Sequence, residues 1–586
     1  MEWTKNRLLG IAALSLLFIS GLFLVLSPSD EEGRVDFEAS GSGGETAVGA
    51  DAGINAGINA GINAGTDAGT DAGTDAGINA GTDAGSAETV SAGSEKVLKI
   101  ATPNVIKSES LIGDYFLGIF AHLSNYPLMQ LSETGKLEGR LADRYEVSED
   151  HTEWTFYIKD DLYWSDGVKV SPEDVRFSVL CYAKIPTGRW INDTLESSAV
   201  SEADNSVTLK FNKPYTRINL EFATYMILPE HVWEKIENPA EYTSKGPYVG
   251  CGPYYLENID LAAAHLIFRK NPYWQGKTPN FDVLEIDWYG SEDAACLALE
   301  KGDADTYHKY AASYPYASIE RLEKTGTFNF VEKDSIGLCY LGITLNEAPR
   351  SDPLFREALA FAINYEEIIR LDTLGYGAVP NRGLVPPGME YYKPTEKCSY
   401  APEKARKILK DAGYADKNNN GILEDKSGKD ICLQLMIRQD YERDAELLQE
   451  YFRAVGIDVK IENVDRNNYN DRKDSSGYEL VFSRATPWGM LMHAGLGTGY
   501  FDYRRYGYID DPEFTGLCDR LLNTTDPDSL KTASYALQDY YAEELPVIPI
   551  YWKKIVVPYN KKFEGWHYNN MDGIYNPETF LDLHEV

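Results

Sequence analysis

The sequence predicts an α/β fold for the region 95–586, because strand signals and helix signals alternate along it. The segment WTFYI (154–158) places a large apolar residue at every second position, which is the period of a strand with one buried face. Ser171 and Pro172 begin a helix. The serine can cap the first turn, the proline suits the first helical position, and two acids follow near the positive end of the helix dipole.

Two further elements support this fold class. The apolar segment VLKIA (97–101) predicts an opening strand. The segment 402–410 predicts a second helix that ends before Gly413, since glycine readily adopts the left-handed conformation common after a helix C-terminus. Such mixed signals indicate α/β or α+β layers, and we take α/β as the prediction.

The composition is that of a soluble globular protein with an acidic surface. At 586 residues the chain is longer than one ordinary domain, so two or more packed units are expected. Asp and Glu number 91 against 56 Lys and Arg, which gives a net charge of -35. This charge repels phosphate backbones, so nucleic acid is not an expected partner. We interpret the acidity as a solubilising surface.

The cysteines are dispersed and form no CxxC pair, which is neither a zinc-site spacing nor a disulfide scaffold. Most are expected to be small core residues, and one or two disulfides are compatible with an extracellular location. The seven are Cys181, Cys251, Cys296, Cys339, Cys398, Cys432 and Cys518.

Residues 1–27 have the pattern of a signal peptide or an N-terminal membrane anchor. Lys5 and Arg7 precede an uncharged, mostly apolar run (8–26), and acidic residues follow it. A helix of this length rises about 28 Å, close to the hydrocarbon thickness of a bilayer. The charges orient the N-terminus towards the cytoplasm, so the rest of the chain is exported. No clear cleavage site follows the run, which favours an uncleaved anchor.

Residues 28–94 predict a flexible linker of low complexity. Its centre is an array of AGIN and AGTD tetrapeptides that runs from Ala52 to Asp83. Glycine at every fourth position, small alanines and polar residues cannot bury enough apolar surface to offset the entropy cost of ordering. The interpretation is therefore a tether that holds the folded region outside the membrane.

Several segments of the folded region resemble, in order, the family 5 extracellular solute-binding proteins of ABC importers, a family that includes oligopeptide, dipeptide and nickel receptors. Cys251 departs from the family pattern, which has threonine there. The matching segments are LADRYEVSEDHTEWTFYIKDDLYWSDGVKVSPEDVRFSV (141–179), GCGPYYL (250–256), FRKNPYWQGKTPNFDVLEI (268–286), LEKGDAD (299–305), FREALAFAINYEEII (355–369), YAPEKARKILKDAGY (400–414) and ELPVIPIYW (544–552). Each is weak alone, and together they make a specific signal.

The resemblance implies a two-lobed periplasmic-binding-protein-like fold (type II, cluster C) that closes about a hinge on a solute. Lobe 1 is assigned to 95–345 with an inserted subdomain at about 136–245, lobe 2 to 346–552, and 553–586 return to lobe 1. The implied partners are a small solute and the permease and ATPase subunits of an ABC importer. We expect an extracytoplasmic monomer, tethered to the outer face of the cytoplasmic membrane.

The segment 481–505 corresponds to the strand and loop that line the ligand cleft in the family. Arg484 suits a ligand carboxylate, which it can pair in bidentate fashion, and Ala485 continues the strand. Peptide receptors of the family place an Asp shortly after a Trp, where it neutralises the terminal ammonium of the peptide. That acid is absent after Trp488, and Asp502 could replace it only if the loop folds back.

Nickel receptors of the family instead combine an Arg, a Trp-Gly pair and a nearby histidine. Trp488 and Gly489 resemble that arrangement, His493 can ligate a metal through its neutral imidazole, and Met490 can line the pocket. The alternatives stay open, because a lone histidine in a loop and a packed methionine are ordinary structural features.

A second candidate site is the segment DKNNNGILEDKS (416–427), which resembles the start of an EF-hand calcium loop. A serine stands at the twelfth place, where a bidentate Glu is expected, so a turn without metal is the alternative to a structural Ca²⁺. The candidate ligands are Asp416, Asn418, Asn420, the carbonyl of Ile422, and Glu424.

The sequence favours a receptor for short peptides, with a nickel or other metal chelate as the alternative ligand. An enzyme or a structural surface protein is the distant alternative. The eight histidines are far apart, and the chain contains no HExxH helix, no GxSxG elbow and no P-loop. No catalytic residue is therefore assigned, and no cofactor is required.

Overall fold

The structure is a computed structural model, and the residues whose placement it describes all belong to the region 95–586. They are 95–132, 137–185, 189–214, 222–244, 246–310, 312–387, 391–475, 477–485, 511–522, 524, 526–568 and 573–586. The predicted anchor (1–27) and linker (28–94) lie outside them. Within this described part, no helix is both long enough and apolar enough to cross a membrane.

The described strands are β1 (Val97–Thr102), β2 (Met129–Leu131), β3 (Leu137–Gly139), β4 (Ala142–Val147), β5 (Glu153–Ile158), β6 (Leu195–Ser201), β7 (Ser206–Phe211), β8 (Tyr254–Asp260), β9 (His265–Lys270), β10 (Val283–Trp288), β11 (Thr306–Tyr307), β12 (Phe328–Ile343), β13 (Gly377–Ala378), β14 (Cys432–Ile437), β15 (Asp458–Asn463), β16 (Leu480–Ala485), β17 (Val547–Asn560), β18 (Phe563–Glu564) and β19 (His584–Glu585).

The described α-helices are α1 (Tyr115–Ala121), α2 (Pro172–Tyr182), α3 (Arg189–Thr194), α4 (Glu230–Trp233), α5 (Glu292–Lys301), α6 (Tyr316–Glu323), α7 (Pro353–Ala362), α8 (Tyr365–Asp372), α9 (Pro402–Asp411), α10 (Glu442–Ala454), α11 (Arg466–Asp474), α12 (Pro512–Leu522), α13 (Pro527–Glu544) and α14 (Pro577–Asp582). Short 3₁₀ helices cover Pro239–Glu241 and Gln439–Tyr441.

The locally predicted elements are confirmed. The opening strand is β1, and β5 buries the three large residues of WTFYI while the residues between them are partly exposed. Ser171 caps α2 in a capping box with Asp174, and a proline occupies the first turn. Helix α9 ends just before Gly413, which has a φ of 92°, in the left-handed region that glycine tolerates.

Among the described residues, eleven strands form one mixed sheet in the order β15-β14-β16-β12-β17-β11-β1-β10-β9-β8, with β13 paired to the side of β17. Strand β14 is parallel to both β15 and β16, and β1 is parallel to both β10 and β11. A separate sheet, β4-β5-β7-β6, lies within the range assigned to the inserted subdomain. The predicted α/β class is therefore confirmed.

The long strands β12 and β17 join the two halves of the large sheet. The first half of β12 (328–334) pairs with the end of β17 (554–560), and its second half (338–342) pairs with the start of β17 (547–552). The pairing is irregular between Asp334 and Leu338, where the ladder shifts register. The half-sheet formed by β14, β15, β16 and the adjoining parts of β12 and β17 is called the C-terminal half-sheet below.

Buried apolar side chains cover both faces of the C-terminal half-sheet. One core cluster packs helices α7, α8, α9 and α10 against it, and another packs α12 and α13. A further cluster surrounds β1, β8, β9 and β10, and a separate one fills the four-stranded sheet. The region Glu95–Val586 forms one compact unit, and the predicted lobe boundaries stay predictions.

All seven cysteines are free thiols, and all but Cys432 are buried. The expectation that most of them are core residues is confirmed. Burial raises the pKa of Cys181 to about 11 and that of Cys251 to about 12, so these thiols are protonated and unreactive at neutral pH.

Candidate functional site

The structure describes two of the predicted ligand-binding residues. Arg484 and Ala485 are the last residues of β16, and the Arg484 side chain is partly exposed. The predicted residues outside the described part of the chain are Trp488, Gly489, Met490, His493 and Asp502. Their assignment to the ligand site stays a prediction.

Arg484 lies at the edge of the C-terminal half-sheet where the parallel strands end. Strands β14, β15 and β16 run in the same direction, so their carboxyl ends meet at one edge. Arg438 follows β14 directly, and helix α10 begins a few residues later. In open α/β sheets, ligands bind outside the carboxyl ends of parallel strands, which makes this edge the candidate binding site.

The strand register places Arg484 in a row of side chains. Cys339 on β12 is paired with Arg484 on one side and with Tyr551 of β17 on the other. Directly opposite residues point to the same face of a sheet, and so do residues two apart on one strand. Lys553, two residues after Tyr551, therefore belongs to the same face.

Two helices contribute an acid each to this face. The hydroxyl of Tyr551 lies 2.8 Å from Oδ2 of Asp372, at the end of α8, and 3.3 Å from Oδ1 of Asp444, in the first turn of α10. Nζ of Lys553 lies 3.9 Å from Oδ2 of Asp372. Asp444 is only 1% exposed, whereas the Asp372 side chain is 21% exposed.

Tyr441 lies within electrostatic reach of the three cations of this edge, and Arg438 contacts it directly. The guanidinium of Arg438 lies 5.0 Å from the ring centroid and donates to the Tyr441 hydroxyl at 3.0 Å. The charges of Arg438, Arg484 and Lys553 act to lower the pKa of Tyr441. The charge of Arg484 likewise acts to lower the pKa of Lys553. We call the group Arg438, Tyr441, Arg484, Tyr551, Lys553, Asp372 and Asp444 the strand-end cluster.

The charges of the strand-end cluster shift one another's titration. Burial, together with the charge of Asp372, raises the pKa of Asp444 to about 7. Burial opposes the charged form of Lys553, but the thiol of Cys339 when ionised, and the carboxylate of Asp372, raise the pKa of Lys553 above its ordinary value, so Lys553 stays cationic. Near neutral pH the cluster therefore presents cations beside the buried carboxyl of Asp444, whose charged form is disfavoured.

An aromatic pair from the other side of the sheet junction adjoins the cluster. Tyr316, the first residue of α6, stacks on Tyr376 with ring centroids 5.1 Å apart and an interplanar angle of 13°. Its hydroxyl donates to the carbonyl of Lys554 at 2.5 Å. The charges of Arg484 and Asp372 both influence the pKa of Tyr316, and the bond to Lys554 places this ring one residue along the chain from Lys553 of the strand-end cluster.

The predicted calcium loop is a tight turn. Asp416 accepts hydrogen bonds from the backbone N–H groups of Asn420 and Gly421, at 3.1 and 2.9 Å. The Glu424 side chain is buried and accepts from the backbone N–H of Asn418 at 3.1 Å. These bonds close the loop.

Asp430 also belongs to this loop, although the sequence analysis did not include it. Its two carboxylate oxygens accept from the side-chain amides of Asn418 and Asn420, at 3.0 and 2.7 Å. Across the described residues, no group of three or more His, Cys, Asp and Glu side chains has metal-binding geometry. A cation here would therefore also need amide and carbonyl oxygens, such as that of Ile422.

Of the strand-end cluster, only Arg484 is predicted from the sequence. Lys553 and Lys554 interrupt the otherwise apolar middle of β17, and that pair of charges within a largely buried strand was the signal that could have identified Lys553. Asp372 and Asp444 gave no local signal, because each is an ordinary acid in a helix turn until the fold brings the two together.

The side chains at this edge of the sheet are suited to binding a ligand. Clustered guanidinium and ammonium groups pair with carboxylates and other anions, and tyrosine rings provide rigid walls.

Comparison with known proteins agrees with this architecture. The family described as bacterial extracellular solute-binding proteins, family 5 (middle region), matches residues 136–506, more than half of the chain. The glutathione-binding protein GsiB of Escherichia coli (strain K12) is 23% identical over 483 residues, covering 78% of this chain and 87% of GsiB.

Two solved structures share the fold. The periplasmic oligopeptide-binding protein of an oligopeptide ABC transporter from Thermotoga maritima gives a TM-score of 0.70 at 21% identity, covering 84% of this chain and 99% of its own. NikA from Brucella suis, in complex with Fe(III)-EDTA, gives 0.70 at 18% identity, covering 84% and 100%. The chain therefore belongs to family 5 of the bacterial extracellular solute-binding proteins, receptors of ABC transporters and not enzymes.

Proposed function

We propose that this protein captures short peptides outside the cytoplasmic membrane and delivers them to the permease of an ABC importer. The observation that carries the proposal is the strand-end cluster, which sets Arg484 at the carboxyl end of β16 and adds Lys553 from β17 on the same face of the sheet. A peptide offers a terminal carboxylate to such cations. Two relatives, a glutathione-binding protein and a periplasmic oligopeptide-binding protein, support a peptide ligand.

Capture is proposed to occur by closure of lobe 1 (95–345 with 553–586) and lobe 2 (346–552). What supports this is the pair of long strands β12 and β17, which join the half-sheets with irregular pairing between Asp334 and Leu338. A break in the ladder leaves fewer hydrogen bonds to resist bending. Ligand contacts made by both lobes would favour the closed form, because only that form provides all of them.

A nickel or other metal chelate is the second candidate ligand. One feature of the sequence favours a chelate over a peptide. The acid that would neutralise the terminal ammonium of a peptide is missing after Trp488. His493 and Met490 are the proposed metal-facing residues. NikA from Brucella suis, with its Fe(III)-EDTA complex, is a fold relative whose ligand is a metal chelate. A chelate with free carboxylates would use the same cations of the strand-end cluster.

The remaining partners are proposed from the sequence. Residues 1–27 would anchor the protein in the cytoplasmic membrane, and 28–94 would tether the folded region to it. The folded region would act as a monomer that docks on the permease when closed.

We also propose a structural Ca²⁺ in the loop 416–430. Support comes from the Asp-Asn-Asn-Gly spacing and from the position of Asp430, whose carboxylate reaches the side chains of Asn418 and Asn420. An ion held there would connect the end of α9 to the start of β14. Its effect would be on stability.

Titration calorimetry tests the ligand class. One series uses a panel of dipeptides and tripeptides that includes glutathione, and the other uses Ni²⁺ with L-histidine. Binding of a peptide with micromolar or tighter affinity is the expected result. If the nickel–histidine mixture binds and no peptide does, the ligand is a metal chelate and not a peptide. A hydrolysis product appearing during the titrations would contradict the proposal that the protein is a receptor, because a receptor releases its solute unaltered.

A further inference from the structure

A groove beside the four-stranded sheet is separate from the strand-end cluster. Its volume is about 730 Å³, which is within the range typical of small-ligand pockets. It is lined by residues of β4, by the end of β5 and the residues after it, by the turn between β6 and β7, and by the loop 274–276 with Leu581 of α14. We call it the side groove. None of its lining residues belongs to the strand-end cluster.

Part of the side groove is a rigid aromatic group. Trp274 meets the buried ring of Tyr126 edge-on, with ring centroids 5.9 Å apart and an interplanar angle of 89°. The indole N–H of Trp274 donates to the carbonyl of Lys277 at 3.0 Å. A Cβ on Gly276 would lie 2.5 Å from the indole, so glycine lets the chain pass close to this ring. The partly exposed indole is therefore held in one orientation by its own loop.

Charged groups of both signs line the side groove. The cations are Arg140, Arg144 and Lys159, and the carboxylates are Asp143, Asp160, Asp161 and Asp204. Both guanidinium groups also have an acid at the border of the groove, because Arg140 pairs with Glu578 at 3.0 Å and Arg144 with Glu146 at 3.7 Å. The acids outnumber the cations, so an anionic ligand is disfavoured.

A cationic ligand is disfavoured by the way the arginines stack. The faces of aromatic rings attract cations. Here the guanidinium of Arg144 already lies 3.4 Å from the ring centroid of Tyr157, and that of Arg140 lies 3.8 Å from the ring centroid of Tyr126. A ligand cation would be repelled by both guanidinium groups. A neutral ligand avoids these costs if it carries hydroxyls, which donate to carboxylates and accept from cations.

Two of the carboxylates are open to such a ligand. Asp143 and Asp161 are exposed, and neither side chain makes a hydrogen bond or an ion pair with the residues that the structure describes. Nζ of Lys159 donates to the carbonyl of Arg140 at 2.8 Å, and an ammonium group has two further hydrogens to donate. The groove thus offers acceptors and a donor beside a fixed indole.

We propose that the side groove is a second binding site, which takes a neutral saccharide. One face of a pyranose ring presents C–H groups, which pack on an aromatic ring such as that of Trp274. Its hydroxyls then donate to Asp143 and Asp161 and accept from Lys159. The saccharide is a free oligosaccharide or part of a glycan chain, since both present the same chemistry. The inference does not rest on the proposed peptide ligand.

Titration calorimetry of the full chain tests it with three neutral probes, maltotriose, cellotriose and chitotriose. At least one of them is expected to bind with a Kd of about 1 mM or tighter. Spermidine is the cationic comparison and is expected not to bind in the groove. Co-sedimentation with insoluble cellulose and chitin separates the two sources. Sedimentation with either polymer assigns a glycan chain, and binding of a trisaccharide without it assigns a free oligosaccharide.

A double variant assigns the binding to the side groove. Asp143→Ala combined with Asp161→Ala is expected to weaken trisaccharide binding about tenfold or more, because two charged acceptors are lost. Both residues are exposed, so the fold is expected to be unaffected. Glu149→Ala combined with Glu237→Ala is the matched control. It makes the same change in charge at two exposed residues outside the groove and is expected to bind as the wild type does.

Gly276→Ala tests the aromatic part of the site. The added methyl group would displace the indole of Trp274, so about a tenfold loss of trisaccharide affinity is expected. Gly290→Ala is its control, because nothing lies within 4 Å of the added Cβ, and it is expected to keep the affinity. Full affinity in Gly276→Ala would contradict the role given to Trp274 and overturn the inference.

The other outcomes are also decisive. The inference is overturned if no trisaccharide and no polymer binds, or if the Asp143 and Asp161 double variant binds them as tightly as its control does. Spermidine binding that this double variant abolishes, without saccharide binding, would make the groove a cation site instead. Failure of every peptide to bind would end the peptide proposal alone, and saccharide binding that depends on Asp143 and Asp161 would still support the second site.

Discussion

The indole N–H of Trp164 donates a hydrogen bond to the carboxylate of Asp174 at 3.2 Å, and both side chains are buried. The same carboxylate accepts the backbone N–H and the hydroxyl of Ser171, at 2.8 and 3.1 Å, and the backbone N–H of Glu230 at 2.8 Å. A single acid thus holds together the turn before α2, the cap of that helix and the start of α4.

Asp174→Ala is expected to destabilise the protein by about 3 kcal/mol or more, because several buried donors lose their acceptor at once. Urea denaturation followed by circular dichroism measures the change. Asp150→Ala is the control, since Asp150 accepts from Ser148 and Thr152 in a similar local pattern but is exposed, and its effect should be much smaller. Equal losses in the two variants would show that the buried network does not stabilise the fold.

Gly252→Ala tests the close backbone approach in the segment GCGPYYL. A Cβ at this position would lie 2.1 Å from the carbonyl oxygen of Leu123, and the Gly252 N–H donates to the carbonyl of Ser124 at 2.7 Å. We expect a loss of about 1–3 kcal/mol or a failure to fold. Gly290→Ala is the control, because nothing lies within 4 Å of the added Cβ. An unchanged melting temperature in Gly252→Ala would contradict the described backbone.

These two predictions concern parts of the fold that sequence patterns locate well. The cap at Ser171 and the alternation in 154–158 are set by residues close together in the chain, so short patterns identify them. The strand-end cluster is different. Tyr551 meets Asp372 and Asp444 across separations of 179 and 107 residues, which no short pattern encodes. Arg484 was found because it stands in a family segment.

Stability is predicted to depend on pH through Asp444. Burial and Asp372 raise its folded-state pKa to about 7, from about 3.8 when unfolded. The folded state therefore holds a proton that the unfolded state has lost, so this contribution is fully present below about pH 4 and is lost as pH rises to about 7. Asp444→Asn should remove the dependence, as measured by urea denaturation at about pH 5 and about pH 8. The same pH response in both proteins would contradict the shift.

The calcium proposal predicts a stability increase with added metal. At a hundredfold excess over Kd, Ca²⁺ should stabilise the folded state by about 2.7 kcal/mol, and EDTA should reverse the effect. Differential scanning calorimetry with Ca²⁺ or Mg²⁺ measures it. Asp430→Asn, which keeps the shape of the loop and removes a charge, should lose most of the response. If added Ca²⁺ does not change the melting temperature, the calcium proposal is contradicted, and the loop is a turn closed by its own hydrogen bonds.

The central claim is that two lobes close on a solute that leaves the protein unaltered. Small-angle X-ray scattering of residues 95–586, with and without the ligand found by calorimetry, tests it most directly. A smaller radius of gyration in the saturated protein is the predicted result, with Arg484→Ala showing no change at the same ligand concentration. Identical scattering profiles at full saturation of the wild type would contradict closure as the mechanism.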